Sequence, residues 1–251
     1  MSVQMPVLKQ PERPKKGSRK LLSVLLLLFV VILAVLFFNS SISKISSIEV
    51  AGAQYATVAE VEQAADIEVG EAFFGVSKER IENRVRALKP IDEVVVEKRF
   101  PGAVKISVKE HPVVAFEIGT EGNMTAIMSN GTSVTAISND VLLDKPVLSG
   151  WAKDDPLRMD LTKQLGKISA KQLSDLSEII PYPSKAYPDR IKIYTRTKFE
   201  VVTSISVLES KIEALNAVIE TQEPGKITML LADTYVPFDG SSEENMETNQ
   251  K

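Results

Sequence analysis

There is no cysteine in this 251-residue sequence, and only one histidine and one tryptophan. The first absence excludes a disulfide framework, a thiolate metal centre and a thiol nucleophile. The second leaves almost no imidazole chemistry: His111 precedes Pro112 in a strand-like stretch, and no G-x-S-x-G elbow accompanies it. A glycine-rich phosphate loop, an H-E-x-x-H pair and an acidic calcium loop are missing as well. Asp154 and Asp155 stand side by side before Pro156, the pattern of a solvated turn and not of two carboxyls held across a cleft. Trp151 beside them reads as a packing residue. The expectation is no catalytic residue, no cofactor and no metal.

Basic charge is scarce beyond the first twenty residues. Lys9, Arg13, Lys15, Lys16, Arg19 and Lys20 precede Leu21 against the one acid Glu12, which leaves 24 basic and 32 acidic side chains for the rest of the chain. That acidic balance disfavours nucleic acid and gives no support for docking on an anionic lipid surface.

What the sequence does have is one long uncharged run. In residues 21–38, LLSVLLLLFVVILAVLFF, Ser23 is the only residue that is not apolar. At 1.5 Å per residue the run spans roughly 27 Å as a helix, close to the thickness of a bilayer's hydrocarbon core. Cations cluster before it, and Lys44 is the nearest one after it, which places the N-terminus in the cytoplasm. A signal peptide has a shorter apolar region and a small-x-small cleavage site. Ser41-Ile42-Ser43 is a feeble match, so a retained anchor is expected. Residues 1–20, with three prolines and six cations, read as a disordered cytoplasmic tail.

After the anchor, Ile45, Ile48 and Val50 alternate with polar residues as far as Ala51-Gly52, a short strand. Thr57 and Glu60 form a capping box ahead of the stripe Val58, Val61 and Ala65. Ser77 starts a second helix with Ile81, Val85 and Leu88 inward, and Pro90 stops it. Residues 91–100 and 104–116 read as strands joined at Pro101-Gly102. The order is strand, helix, helix, strand, strand. IEVAGA at 48–53 and GEAFFGVSKERIENRVRALKPIDEVVVEKRFPGAVKISVKEHPVVAF at 70–116 resemble the POTRA domain of the FtsQ/DivIB family of bacterial cell-division proteins. Two positions depart from the family pattern: Ala53 stands where Asn is frequent, and His111 where Arg is usual.

Beyond residue 112 short strands continue to about residue 148, broken by turn signals at 119–123 and at Asn130-Gly131. Residues 145–150, KPVLSG, resemble the family's Pro-x-Leu-x-Gly stretch. A capping box at Ser169 and Gln172 predicts a helix through Leu173, Leu176, Ile179 and Ile180, stopped by Pro181. A hairpin over Arg196-Thr197-Lys198 follows. Then comes a helix from Ser206, capped by Glu209, with Leu208, Ile212, Leu215 and Ile219 inward. Gly225 leads into a last strand, residues 227–236, ending in the family-like YVPF. Residues 239–251 read as a disordered acidic tail.

The expected fold class is therefore α+β. It comprises a transmembrane helix at 21–38, a POTRA domain (β-α-α-β-β) at 45–112, and a second mixed α/β domain at 113–238 with a terminal strand. The resemblance implies a non-enzymatic, membrane-anchored scaffold at the division septum. Its implied partners are single-pass proteins of the FtsL and DivIC/FtsB types, with the septal transpeptidase as a further candidate, and its implied role is to help organise or regulate septal peptidoglycan synthesis. Neither nucleic acid nor a small-molecule substrate is expected. The competing readings are a membrane-anchored cell-wall enzyme and a POTRA-bearing secretion component. A terminal strand joined on one side only offers an open edge for strand addition. Partner binding is accordingly expected on Thr228, Met229, Leu230, Leu231, Ala232, Asp233, Thr234, Tyr235 and Val236.

Overall fold

The computed structural model describes residues 19–119, 122–135 and 144–238. The expected tails lie outside the described residues, except that Arg19 and Lys20 form the first turn of helix α1, Arg19–Asn39. No residue of α1 is buried, so its apolar surface is left for lipid to cover. The last carbonyls of the helix are satisfied locally. Asn39 donates to the Val35 carbonyl at 2.9 Å, and the Ser43 hydroxyl to those of Phe38 and Ser40 at 2.7 and 2.9 Å.

The chain enters the next unit without slack. Ile45 N–H donates to the Glu71 carbonyl and Gly70 N–H to that of Ile45, both at 2.8 Å. Strand β1 (Ser47–Ala51) and helices α2 (Val58–Ala65) and α3 (Lys78–Arg86) precede the hairpin of β2 (Ile91–Arg99) and β3 (Ala103–Glu110). The sheet order is β1-β3-β2, with β1 parallel to β3 and β2 antiparallel to it. Alternation in β3 buries Val104, Ile106 and Val108 against Val61, Ala65, Ile81 and Val85 of the helices. Lys105 points away and pairs with Glu49 at 3.3 Å. The capping box at Thr57 and Glu60 forms as expected, but Val58 faces out at 51% exposure. Gly52, at φ +89°, lies so close to β3 that a Cβ would stand 2.1 Å from the Val108 carbonyl oxygen.

The strand expected over residues 104–116 is two strands. Pro112 has no N–H to continue the ladder, and His111 N–H turns to the Pro90 carbonyl at 2.9 Å. Strand β4 (Val113–Ile118) then begins the larger sheet. It is followed by β5 (Met124–Met128), β6 (Ser133–Thr135), β7 (Val147–Leu148), α4 (Pro156–Leu165), α5 (Ala170–Leu173), β8 (Leu176–Pro181), β9 (Arg190–Thr195), β10 (Glu200–Ser204), α6 (Leu208–Thr221), β11 (Gly225–Met229) and β12 (Asp233–Pro237). The strand order is β12-β11-β10-β9-β8-β7-β4-β5-β6. The helices cover one face, burying Leu161, Leu165, Leu208, Ile212 and Leu215 with Ile179, Ile193, Val201 and Ile227.

Two helix expectations and one turn expectation change here. The capping box at Ser169 and Gln172 forms, yet α5 stops at Leu173, and Leu176 to Ile180 lie in β8. Leu176 and Ile179 are both buried although an odd spacing should put them on opposite faces; a bulge between Leu176 and Glu178 restores them to one side. Asp155 is not a free turn acid but the N-cap of α4, its Oδ1 accepting from Leu157 N–H at 2.9 Å with Pro156 in the first turn. The box at Ser206 and Glu209 does not form. The Ser206 hydroxyl bonds that of Ser204 at 3.0 Å, Glu209 pairs with Lys167 at 2.8 Å, and α6 starts at Leu208 after a 3-10 turn. Trp151 is buried, donating its indole N–H to the Ile179 carbonyl at 3.0 Å.

Short contacts fix the end of the POTRA unit around Glu110 and His111, and one crosses to the larger unit. The Glu110 carboxylate accepts from the backbone N–H groups of Gln54, Tyr55 and Ala56 at 2.8–3.0 Å. Across the joint, the Asn130 side chain donates to the Lys89 carbonyl at 2.9 Å. His111 Nδ1 lies 3.8 Å from Asp92 Oδ1, a contact within the POTRA unit.

Candidate functional site: the C-terminal sheet edge

Residues 227–236 form a hairpin, not one strand. Strands β11 and β12 pair antiparallel from Gly225 opposite Pro237 to Met229 opposite Asp233. The nine expected binding residues therefore fall in three places. Thr228 and Met229 end β11, Leu230, Leu231 and Ala232 make the turn, and Asp233, Thr234, Tyr235 and Val236 lie on β12. Strand β11 is interior: it pairs parallel with β10 on its other side, Ile227 and Met229 are buried, and the Met229 carbonyl accepts from the Thr203 hydroxyl at 2.8 Å.

Strand β12 is the outer strand, with β11 as its single partner among the described residues. The direction of its amides follows from one bond at its end. Phe238 N–H donates to the Pro224 carbonyl at 3.2 Å. Bonded and non-bonded pairs alternate along an antiparallel ladder, so Val236 and Thr234 also turn their backbone groups inward. Asp233, Tyr235 and Pro237 turn theirs outward, and Pro237 has a carbonyl but no N–H to offer.

Side chains hold this strand in place. Tyr235 packs toward Phe199, with ring centroids 6.5 Å apart, and its hydroxyl donates to the Glu223 carbonyl at 2.7 Å. Lys211 on α6 grips both Asp233 carboxylate oxygens at 2.9 and 2.8 Å. Gly225 is required by the close crossing of β12: a Cβ there would stand 2.4 Å from the Val236 carbonyl oxygen. Leu231 at the turn is 91% exposed, and Val236 and Phe238 are also open.

The sheet face away from the helices runs directly into this edge. Val236, Lys226, Glu200 and Tyr194 lie in one register row. Glu200 accepts from Lys192 at 3.0 Å and stands 3.6 Å from Lys226. Its hydrogen bond raises the Lys192 ammonium above its ordinary pKa. Lys192 also stands 4.8 Å over the Tyr182 ring, and Arg190 4.4 Å over the same ring. An open backbone edge flanked by apolar, aromatic and charged groups is suited to holding an extended peptide and to selecting among its side chains. Sequence reasoning missed the Lys211–Asp233 clamp, for which an acid and a base twenty-two positions apart give no signal.

Residues 43–111 match the family profile described as POTRA domain, FtsQ-type. Over 247 residues the chain is 45% identical to the cell division protein DivIB of Paenibacillus polymyxa strain E681, covering 98% of this chain and 97% of that one. The chain belongs to the DivIB family of cell-division proteins. That family is non-enzymatic, and the α+β fold with an FtsQ-type POTRA region is the one expected. Two further DivIB relatives share less identity with this chain. Those of Brevibacillus brevis strain 47 and Bacillus subtilis strain 168 are 28% and 25% identical, each over 93% of this chain and over 90% and 89% of their own lengths. The solved major extracytoplasmic domain of DivIB from Geobacillus stearothermophilus aligns at a TM-score of 0.37 with 26% identity, covering 44% of this chain and 92% of that one. Among the described residues one helix, Arg19–Asn39, is long and apolar enough to cross a membrane.

Proposed function

We propose that this chain is a scaffold of the division septum that captures slim single-pass partners of the FtsL and DivIC/FtsB types on the β12 edge. Through them, and through the septal transpeptidase, it helps organise or regulate septal peptidoglycan synthesis. Its N-terminus lies in the cytoplasm, preceding the anchor at 21–38. The POTRA domain at 45–112 and the second domain at 113–238 lie outside the cell membrane, and residues 239–251 form an acidic tail. The observation that carries the reading is the outward row of backbone groups at Asp233 and Tyr235, left without a strand to pair with among the described residues.

The test is retention of a DivIC-type partner by the full chain. Asp233→Pro removes an outward N–H, and loss of one backbone hydrogen bond at about 1.4 kcal/mol weakens retention about tenfold. Asp233→Ala separates that effect from loss of the Lys211 clamp and retains the partner. Thr234→Pro removes an inward donor and opens the hairpin itself. Equal retention by parent and a folded Asp233→Pro chain sinks the edge reading. A fluorescent fusion spread evenly over dividing cells sinks the septal one.

A further inference from the structure

Four aromatic rings meet where the anchor leaves the membrane, contributed by three separate stretches of chain. Phe37 and Phe38 end the apolar run of α1, with ring centroids 5.4 Å apart. Phe74, in the 3-10 turn Phe73–Gly75, lies 6.0 Å from Phe37 and 6.2 Å from Phe38. Phe100, at the tip of the β2–β3 hairpin, lies 6.3 Å from Phe74. The POTRA core does not use this surface. Phe73 is buried in that core, whereas its neighbour Phe74 is 53% exposed and Phe100 59% exposed.

The outward setting of Phe74 is held by the fold. The Lys98 ammonium donates to the carbonyls of Phe73 and Val76, and it stands 4.5 Å from the centroid of the Phe73 ring. Ser46 N–H donates to the Gly102 carbonyl at 2.8 Å, fastening the hairpin tip beside the start of β1. Two phenylalanines are thus presented rigidly on the side from which α1 emerges.

Depth decides what covers them. If residues 21–38 fill the hydrocarbon core, Phe38 is the last ring inside it, and rings touching Phe37 and Phe38 lie at the boundary between acyl chains and headgroups. Apolar side chains are stabilised at that boundary, while in water they would form an uncovered patch. We infer that Phe74 and Phe100 are a second membrane contact, seating the POTRA unit on the bilayer surface. The partner is the neutral interfacial layer of the lipid, continuous with the surface α1 already occupies. The inference rests on α1 being a retained span.

The absence of cysteine allows single nitroxide labels to be placed on the full chain. Phe74→Cys, Phe100→Cys, Val30→Cys and Leu231→Cys chains, each reconstituted in phosphatidylcholine and phosphatidylglycerol vesicles, are compared for collision with oxygen and with a water-soluble nickel chelate. The label at 30 is expected to be rich in oxygen and shielded from nickel and that at 231 the reverse, with the labels at 74 and 100 between them and clearly more shielded from nickel than 231. If 74 and 100 are as open to nickel as 231 while 30 is shielded, the seat is wrong, the patch belongs to a protein partner, and the anchor stands. If 30 is open to nickel as well, anchor and seat both fall. A Phe100→Trp chain keeps an aromatic ring in place and gives an independent readout. Brominated acyl chains should quench its added emission and leave that of the buried Trp151 unchanged, and an unquenched Trp at 100 overturns the inference.

Discussion

The two sheet-bearing units end their sheets in opposite ways. In the POTRA unit the last strand, β3, slots between β1 and β2, so it has a neighbour on both sides. In the larger unit the last strand, β12, is added at the outside and has a neighbour on one. The central strand carries the core residues Val104, Ile106 and Val108, while β12 has only Tyr235 partly buried. A strand inserted in the middle has both of its own backbone edges paired, whereas a strand laid on the outside leaves the bonding capacity of one edge open, as β1, β2 and β6 also do. The candidate binding edge lies where that capacity is left over.

The largest break of this contrast is Ile106→Asp. Ile106 is fully buried in the central strand, and an unpaired carboxylate there costs several kcal/mol. Hydrogen exchange of the full chain should show the POTRA peptides unprotected and the nine-stranded sheet still protected. Lys105→Ala, one residue away on the other face, should change stability by less than about 0.5 kcal/mol. Equal protection in the Ile106→Asp chain would mean that the register of β3 is wrong.

A smaller effect is expected inside the larger unit. Arg158 is buried, with Nη2 3.1 Å from Glu117 Oε2 and 3.3 Å from the Ser133 hydroxyl. Arg158→Ala leaves Glu117 without its partner and should destabilise the unit by about 3 kcal/mol, read from the emission of Trp151 on unfolding. Arg158→Met fills the same space and should cost less than Arg158→Ala. Both variants remove the charge, so the reverse order would show that filling the space does not help and that access of water to Glu117 matters more.

Lys211→Ala tests the clamp on the outer strand. Its partner Asp233 is partly exposed, so a loss of only about 0.5 kcal/mol is expected, confined to faster exchange at residues 230–237. Exchange that spreads into β10 would mean that β12 supports the sheet as a whole, contrary to the comparison drawn above.

Acid should act on the POTRA unit by small steps. Hydrogen bonds from Thr57 hold the Glu60 carboxyl below its usual pKa, and Ser77 and Lys109 do the same for Glu79 and Glu93. A carboxyl with a lowered folded pKa adds stability that is complete above its unfolded value, 4.5 here, and is lost as pH falls through the folded one. Melting of the POTRA unit should therefore fall as pH drops below about 4.5. Glu60→Gln should flatten part of that slope, and an unchanged slope would mean that this cap is not felt in the folded unit.

Local signals were the legible ones. Thr57 with Glu60, Ser77, Ser169 with Gln172, and the turn at Pro101-Gly102 each act over a few residues, and each stands where the sequence predicts. Features that depend on distant partners were not legible. The spacing of Leu173, Leu176 and Ile179 imitates a helix because the bulge in β8 shifts alternation by one position. The hairpin over Leu230-Leu231-Ala232 carries no glycine, proline or asparagine, so nothing local marks the chain reversal. That the described chain finishes on an outer strand was legible for residues 233–236, but the interior place of Thr228 and Met229 was not, nor which amides face outward, because that parity is set by pairing with β11. The ring cluster at the anchor exit joins residues 37, 74 and 100, a juxtaposition no short window contains.

Pro237 gives the outer strand a measured length. A guest lying along β12 finds donors at Asp233 and Tyr235 and then a carbonyl alone, so its ladder is cut off after two donating positions. Under the proposed function the edge would serve as a short template with a stop at one end. A brief extended segment can be held in a single alignment, and a longer strand is denied the continuous ladder along which copies of the chain would otherwise pile edge to edge.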